Sequence, residues 1–294
     1  MEFFLQLLLN GLVVGSIYSL VALGFVIIFK SSGILNFAQG EFLLLGAYVF
    51  LAISSAHAPT FAALLLTFGF SAILGIVLER LVLRPLIGEP IISVIMVTLG
   101  LSSVLRAIVQ GIWGTDTRPL PSVFSLDPIQ LGPLPIARGY LYSAGCVAVL
   151  LVVLTLFFKY ARPGIAMRAT ADSQQVALSM GISVRRIFAL SWSIAAVVSA
   201  VGGILLATMR GGVDGSLAVL GLKVLPAVIV GGLDSIGGAI LGGLLIGVLE
   251  NLSGGYLDPV FGGGVKEVAP FVALVLILMV RPYGFFGKVR IERV

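Results

Sequence analysis

The chain has 294 residues, 59% of them hydrophobic and 11% charged, and its mean hydropathy is +1.16. Soluble domains carry about 25% charged residues, so the composition excludes a soluble enzyme or binding module and specifies an all-α polytopic membrane protein, one transmembrane domain over residues 1–294. The net charge of +5 does not point to nucleic acid, because the excess lies between apolar runs and in the tail. One cysteine, Cys146, can form no internal disulfide, and one histidine, His57, leaves no metal site to propose.

The apolar runs fall at 3–29, 40–56, 59–79, 90–112, 139–159, 187–209, 215–232, 235–252 and 266–281. The first has no positive n-region and no small-residue cleavage pattern, and its length exceeds that of a signal-peptide core, so it reads as a retained span. Several runs, 40–56 and the pair around Gly231–Gly238 above all, are shorter than the roughly 20 residues of an ordinary span. Treating 215–252 as one span makes eight crossings, and treating it as two makes nine. Basic connections sit on the cytoplasmic side. Nine crossings place Lys30, Arg80, Arg84, the 160–186 segment and the tail with Arg281, Lys288, Arg290 and Arg293 inside. They place the amino terminus, the Pro-rich loop 113–138 and the acidic connection 253–265 outside.

An internal repeat fits that count. Gly40–Gly46 has the spacing of Gly215–Gly221, and Ile76-Val-Leu-Glu79-Arg-Leu81 resembles Gly247-Val-Leu-Glu250-Asn-Leu252. Residues 1–112 then form a first repeat and 187–281 a second, inverted one, joined by a span and loop at 139–186 and followed by a cytoplasmic tail at 282–294. Short, glycine-interrupted segments at matching positions of inverted repeats mark transporters.

Two intramembrane stretches carry polar groups. In Gly33–Tyr48, Asn36, Gln39 and Glu41 stand among apolar residues with Lys30 as the adjacent cation. They belong either to a broken helix that lines a substrate path or to a turn in which Asn36 caps the next helix and Glu41 sits favourably in its first turns. In Gly231–Gly238, Gly231, Gly232, Asp234 and Ser235 form a tight turn between two short helices, either a second path-lining element or a turn in which Asp234 caps a helix. Glu79, beside Arg80 and Arg84, reads as a solvated rim; Glu250 follows an apolar helix at its end; Pro226 reads as a kink inside its span.

Between Phe158 and Leu190 the chain leaves the apolar regime, with Lys159, Arg162, Arg168, Arg185 and Arg186 against Asp172. Each such charge costs about 2.5–3.5 kcal/mol at the centre of a bilayer, so this segment lies in water. Ala169–Met180 can form a short helix with Val176, Ala177 and Met180 on one face, and Gly181 ends it. A short helix offered to the cytoplasm by a membrane body is a docking surface for a soluble partner. No phosphate loop, metalloprotease motif or Ser/His/Asp grouping is present, so any ATP hydrolysis belongs to another subunit.

With these residues in view, the chain resembles the LivH-type permeases of branched-chain amino acid ABC importers. The resemblance rests on GLVVGSIYSLVALGFVIIFKSSGILNFAQGEFLLLGAYV (Gly11–Val49), RPGIAMRATADSQQVALSMGISVRR (Arg162–Arg186) and LKVLPAVIVGGLDSIGGAILGGLLIGVLENL (Leu222–Leu252). It implies a LivM-like second permease, two cytoplasmic ATPases holding ATP and Mg, a periplasmic or lipid-anchored binding protein, and a multi-pass place in the bacterial inner membrane. It also implies that Arg168–Gly181 couples to the ATPases, with Ala171, Asp172, Ala177 and Gly181 at pattern positions. The common family form reads Asn-Phe-Ala-His-Gly; here Gln39 replaces the histidine, so nothing titrates at that position. Related permeases serve urea, short amides or aromatic acids, which leaves the substrate open. A stand-alone secondary transporter or channel would need ion-coupling carboxylates, for which Glu41 and Asp234 are the candidates. A membrane enzyme or assembly subunit lacks acid, base and ligand groups.

Overall fold

A computed structural model describes residues 1–120, 127–131 and 134–287. Lys288, Arg290 and Arg293 of the expected tail, and part of the loop 113–138, lie outside the described residues. The chain opens with helices α1 (Glu2–Ser32), α2 (Gln39–Ser55) and α3 (Thr60–Leu78); α3 continues through a wide turn over Glu79–Leu83 and a tight one over Arg84–Leu86, and α4 (Ile91–Trp113) follows. Short strands β1 (Arg118–Pro119), β2 (Pro128–Leu131) and β3 (Leu134–Ala137) lead into α5 (Arg138–Tyr160), α6 (Arg162–Asp172), α7 (Gln174–Ser179) and α8 (Val184–Arg210). Strand β4 (Gly212–Val213) precedes α9 (Ser216–Lys223), α10 (Leu225–Gly231), α11 (Ile236–Tyr256), α12 (Asp258–Phe261) and α13 (Val265–Val280).

Every apolar run of the sequence becomes helix. Among the described residues, α1, α3 with its extension, α4, α5, α8 and α11 are long and apolar enough to cross a membrane, whereas α2 and the α9–α10 pair are shorter apolar helices. Pro226 does more than kink its run: the helix breaks between Lys223 and Leu225, and Pro226 sits in the first turn of α10, where its missing N–H has no helical acceptor to lose. The run at 235–252 is not short, because α11 extends to Tyr256 over 21 residues.

Contacts divide the chain into two compact units, one of Met1–Val26, Ser125–Ala148 and Lys223–Val294, the other of Ile27–Phe124 and Val149–Leu222. Each unit draws on both sequence halves.

In the first unit, α1 and α11 meet through small residues four apart. Gly11, Gly15 and Ser19 of α1 lie against Gly243 and Gly247 of α11 so closely that a Cβ on either Gly15 or Gly247 would strike the other helix's backbone. Lipid offers no hydrophobic drive between helices, so association depends on such close van der Waals approach. The approach allows Ser19 Oγ to donate to the Ile240 carbonyl at 2.7 Å and the Tyr18 hydroxyl to donate to Glu250 Oε2 at 2.8 Å. Glu250 is therefore not at a helix end but buried within α11, paired with α1.

In the second unit, α2 packs on α8 with Gly46 against Ala200 and Gly203 against the Leu43 backbone, and α3 packs on α8 with Gly75 against Trp192 and Ser193. Phe42 meets Trp192 edge to face at 5.9 Å. Gly40 and Gly221, from the two segments matched as a repeat, bring α2 and α9 into backbone contact. Glu79 departs from the solvated rim expected of it: it is fully buried and bound bidentately by Arg84, at 3.2 Å from Nε and 2.8 Å from Nη2. The wide turn at Glu79–Leu83 folds this arginine back onto the carboxylate.

Strands β1 and β4 pair antiparallel through Arg118–Val213 and Pro119–Gly212. Beside them the Ser216 side chain, and after it the Ser216 N–H, the Thr117 hydroxyl and nearby Arg210, hold the Asp214 carboxyl below its ordinary range against the opposing effect of partial burial.

Three outcomes are expected. Gly46→Val should lower the thermal unfolding midpoint in micelles sharply, since backbone must move to admit the side chain, an overpacking of about 1–3 kcal/mol or more. Gly69→Ala, which meets nothing within 4 Å, should leave the midpoint unchanged or raise it. Asp214 ionises more readily folded than unfolded, so its contribution is present above about pH 3.9 and fades as pH falls through the depressed folded value. The stability gap between wild type and Asp214→Asn should therefore close in acid, and a gap independent of pH would contradict the assignment.

Candidate functional site

The start of α2 gathers most of the polar chemistry in the second unit. After α1, residues 33–38 leave the helix and lead the chain into α2. Asn36 Oδ1 accepts the Ala38 N–H at 3.0 Å, a side-chain turn that begins the helix, while Asn36 Nδ2 donates to Gln39 Oε1 at 3.3 Å. Gln39 Nε2 donates in turn to Ser199 Oγ of α8 at 2.6 Å. Two residues on, Glu41 Oε1 accepts from Ser102 Oγ at 3.0 Å, Arg106 Nε at 3.0 Å and Arg106 Nη2 at 2.7 Å, all from α4.

A second contact fixes the direction of these helices. Tyr48 stacks on Trp113 with ring centroids 5.3 Å apart. Glu41 to Tyr48 and Arg106 to Trp113 are both steps of seven residues, about two turns or 10 Å, so α2 and α4 run parallel and in register. Ser102 is the midpoint of Ile91–Trp113, which sets the beginning of α2 level with the middle of α4. A helix that starts at mid-depth has its first N–H groups and its positive dipole end away from bulk water. The Glu41 carboxylate in its first turn compensates that dipole.

Five of the seven residues expected along a path are interior. Asn36 and Gln39 are 0% exposed and Glu41 1%, and Gly231 and Gly232 are buried at the end of α10. The glycines lie beneath the turn after α13, where Phe285 and Phe286 N–H donate to the Val230 and Gly231 carbonyls at 2.8 and 3.2 Å. All five are packed within their own units. Asp234 and Ser235 are half-exposed. Ser235, not Asp234, caps the helix, accepting the Gly238 N–H at 3.0 Å. The two groups fall in different units. Arg106, Ser102 and Ser199 escaped the sequence reading, which took Lys30 as the cation near Glu41; a charged residue midway along an apolar run was the signal, since such a residue needs a partner.

The polar segment is two helices, not the single one expected over Ala169–Met180. Ser173 is extended, at φ −159° and ψ 115°, and separates α6 from α7, whose Val176 N–H it accepts at 3.3 Å. Gly181 ends α7 as expected. With φ +79°, its N–H reaches the Leu178 carbonyl at 3.0 Å, and the Ile182 N–H reaches Ala177 at 2.9 Å, the paired bonds of a Schellman terminus. Arg168 and Ala171 are half-exposed on α6, Asp172 is exposed at its end, and Ala177 is buried. Val176, Leu178 and Met180 are 61%, 58% and 77% exposed, in a segment that also carries Arg162, Arg185 and Arg186.

A family model described as branched-chain amino acid transport system / permease component matches residues 7–281. The chain is 31% identical to the high-affinity branched-chain amino acid transport system permease protein LivH of Escherichia coli (strain K12), over 99% of this chain and 98% of that protein. It is 33% identical, with the same coverage, to the corresponding permease protein BraD of Pseudomonas aeruginosa. It is 29% identical to a probable LivH permease protein of Methanocaldococcus jannaschii, over 96% and 92% of the two chains. Among solved structures it is similar in fold to PsaBC from Streptococcus pneumoniae in complex with Fab, with a TM-score of 0.50 and 17% identity, over 95% of this chain and 91% of that one.

The Gln39–Ser199 bond is expected to appear as a coupling energy of about 0.5–1.5 kcal/mol between Gln39→Leu and Ser199→Ala in a double-mutant cycle on unfolding. Strict additivity of the two changes would show that the bond does not tie α2 to α8.

Proposed function

The chain belongs to the permease-component family of branched-chain amino acid transport systems, and we propose from that premise that it is the membrane-spanning subunit of an ATP-driven importer for branched-chain, hydrophobic amino acids in the bacterial inner membrane. Substrate arrives from a periplasmic or lipid-anchored binding protein and crosses at the interface with a LivM-like second permease. ATP and Mg act on two cytoplasmic ATPase subunits. The amino terminus faces outward and the carboxyl terminus the cytoplasm, with 1–112 and 187–281 as inverted repeats about 139–186 and a tail at 282–294.

One observation carries the ATP-driven part: the α6–α7 pair, a basic segment whose exposed Val176, Leu178 and Met180 have no role in the chain's own core. Exposed apolar side chains in a basic segment fit a groove on a soluble partner with acidic edges. We assign Arg168, Ala171, Asp172, Ala177 and Gly181 to this coupling element. Ala177 seats it on the membrane body, and Gly181 sets the turn that aims α7.

Uptake of labelled leucine by the reconstituted complex, with binding protein and ATP, tests the whole reading. Leucine uptake that ceases without ATP is expected. Uptake of urea or an aromatic acid alone would keep the architecture and move the substrate, and uptake by this chain alone would overturn the mechanism. For the coupling element, Gly181→Val forces a β-branched residue toward φ +79° and should reduce transport-coupled ATPase activity severalfold, as should Asp172→Arg. Gly181→Asn, which tolerates the left-handed region, should retain most of it. Normal coupled activity in both Gly181→Val and Asp172→Arg would remove the assignment.

A further inference from the structure

Helix α4 is polar along one sector in its second half. With successive residues about 100° apart, Ser102, Gln110 and Ser103 fall within about 60° of Arg106. Its buried stripe of Val94, Thr98, Leu101, Leu105 and Val109 lies to one side of this sector. About 160° from Arg106, Val104 and Ile108 are 56% and 47% exposed, an apolar face suited to lipid. Ser103 and Gln110 are exposed and Arg106 half-exposed, so the polar sector opens to a surface next to the lipid-suited one.

Arg106 is the centre of that sector. Its Nε and Nη2 are committed to Glu41 Oε1, yet its side chain is 35% exposed. A guanidinium has five N–H donors, so those turned outward need an acceptor that hydrocarbon cannot supply. Glu41 is buried and neutralises the arginine, which removes any need for a second permanent carboxylate from a neighbouring subunit. It also leaves the guanidinium able to hold a further anion only weakly. The site lies level with the start of α2, at the middle of α4.

We propose that this sector of α4 faces the water-filled translocation path, and that the outer edge of Arg106 receives the carboxylate of the passing zwitterionic amino acid while Glu41, with Ser102, holds the guanidinium in place. The proposal rests on the importer reading. A substrate carboxylate replaces water on the free N–H donors and leaves again easily, because the arginine is already paired. Arg106 is thus a substrate-touching residue and Glu41 a positioning one.

The test uses the full reconstituted complex in a Cys146→Ser background, with single cysteines at Ser103, Gln110, Val104 and Ile108 and a charged, membrane-impermeant methanethiosulfonate as probe. Ser103→Cys and Gln110→Cys should be modified, with at least fivefold protection by leucine and binding protein, while Val104→Cys and Ile108→Cys stay inert. Inert cysteines at both polar positions would overturn the proposal, since lipid or a second subunit would then cover the sector. The paired change Arg106→Gln with Glu41→Gln removes both charges without orphaning either. Leucine uptake should fall at least tenfold with the complex still assembled, and Arg106→Lys should retain part of it. Wild-type uptake by the paired variant would overturn the carboxylate role, because Arg106 would then serve only to neutralise Glu41. If the paired variant does not assemble, the cysteine pattern decides. A wild-type complex that imports urea and not leucine would refute the substrate class, and the labelling would still uphold or refute the wet sector.

Discussion

A polar side chain carried into an apolar layer has no water to fall back on, so its partner must come from the protein, and that requirement governs how these helices are set against one another. Glu41 meets Arg106 and Ser102, Gln39 meets Ser199, and Glu250 meets Tyr18. Each bond joins two different helices, and Glu41, Gln39 and Glu250 are all at most 3% exposed. Sliding α2 along α4 by a single turn would separate Glu41 from Arg106 and leave both charges unpaired. Removing one member of such a pair costs far more than the pair contributes. These bonds therefore specify register more than they add stability.

Small residues make the bonds reachable. The Tyr18–Glu250 contact forms where Gly11, Gly15 and Ser19 let α1 lie against Gly243 and Gly247 of α11. In the second unit, Gly46 and Gly203 bring α2 and α8 close enough for Gln39 to reach Ser199 across the interface. Bulky residues at these crossings would push the helices apart by more than a hydrogen bond can span. Close packing and polar pairing thus act on the same crossings.

On the proposed reading, function follows from the groups left outside this pairing. The exposed Val176 and Leu178 of α7 with Met180 just after it, and the outward edge of Arg106 on α4, are not needed to complete their own unit. The first suits a soluble partner, and the second suits a polar solute within the membrane. The buried Asn36 and Gln39 are hydrogen-bonded at the start of α2.

Hydropathy summed along the chain was enough to locate every apolar helix, the polar segment between Phe158 and Leu190, and the glycine that ends α7, because each depends on residues close together in sequence. Family membership was legible for a similar reason, since contiguous motifs carried it. The breaks at Ser173 and before Pro226, and the cap at Ser235 instead of Asp234, depend on local backbone choices among near-equal alternatives, and tertiary packing made them. Pairing was beyond the sequence altogether. Glu41 and Arg106 are 65 residues apart, Gln39 and Ser199 160, and Tyr18 and Glu250 232. Glu79, beside two arginines in the chain, looked solvated until the turn after α3 buried it against Arg84. A local sum of transfer energies says which residues leave water; only helices brought to within a hydrogen bond of each other decide which partner a buried charge finds.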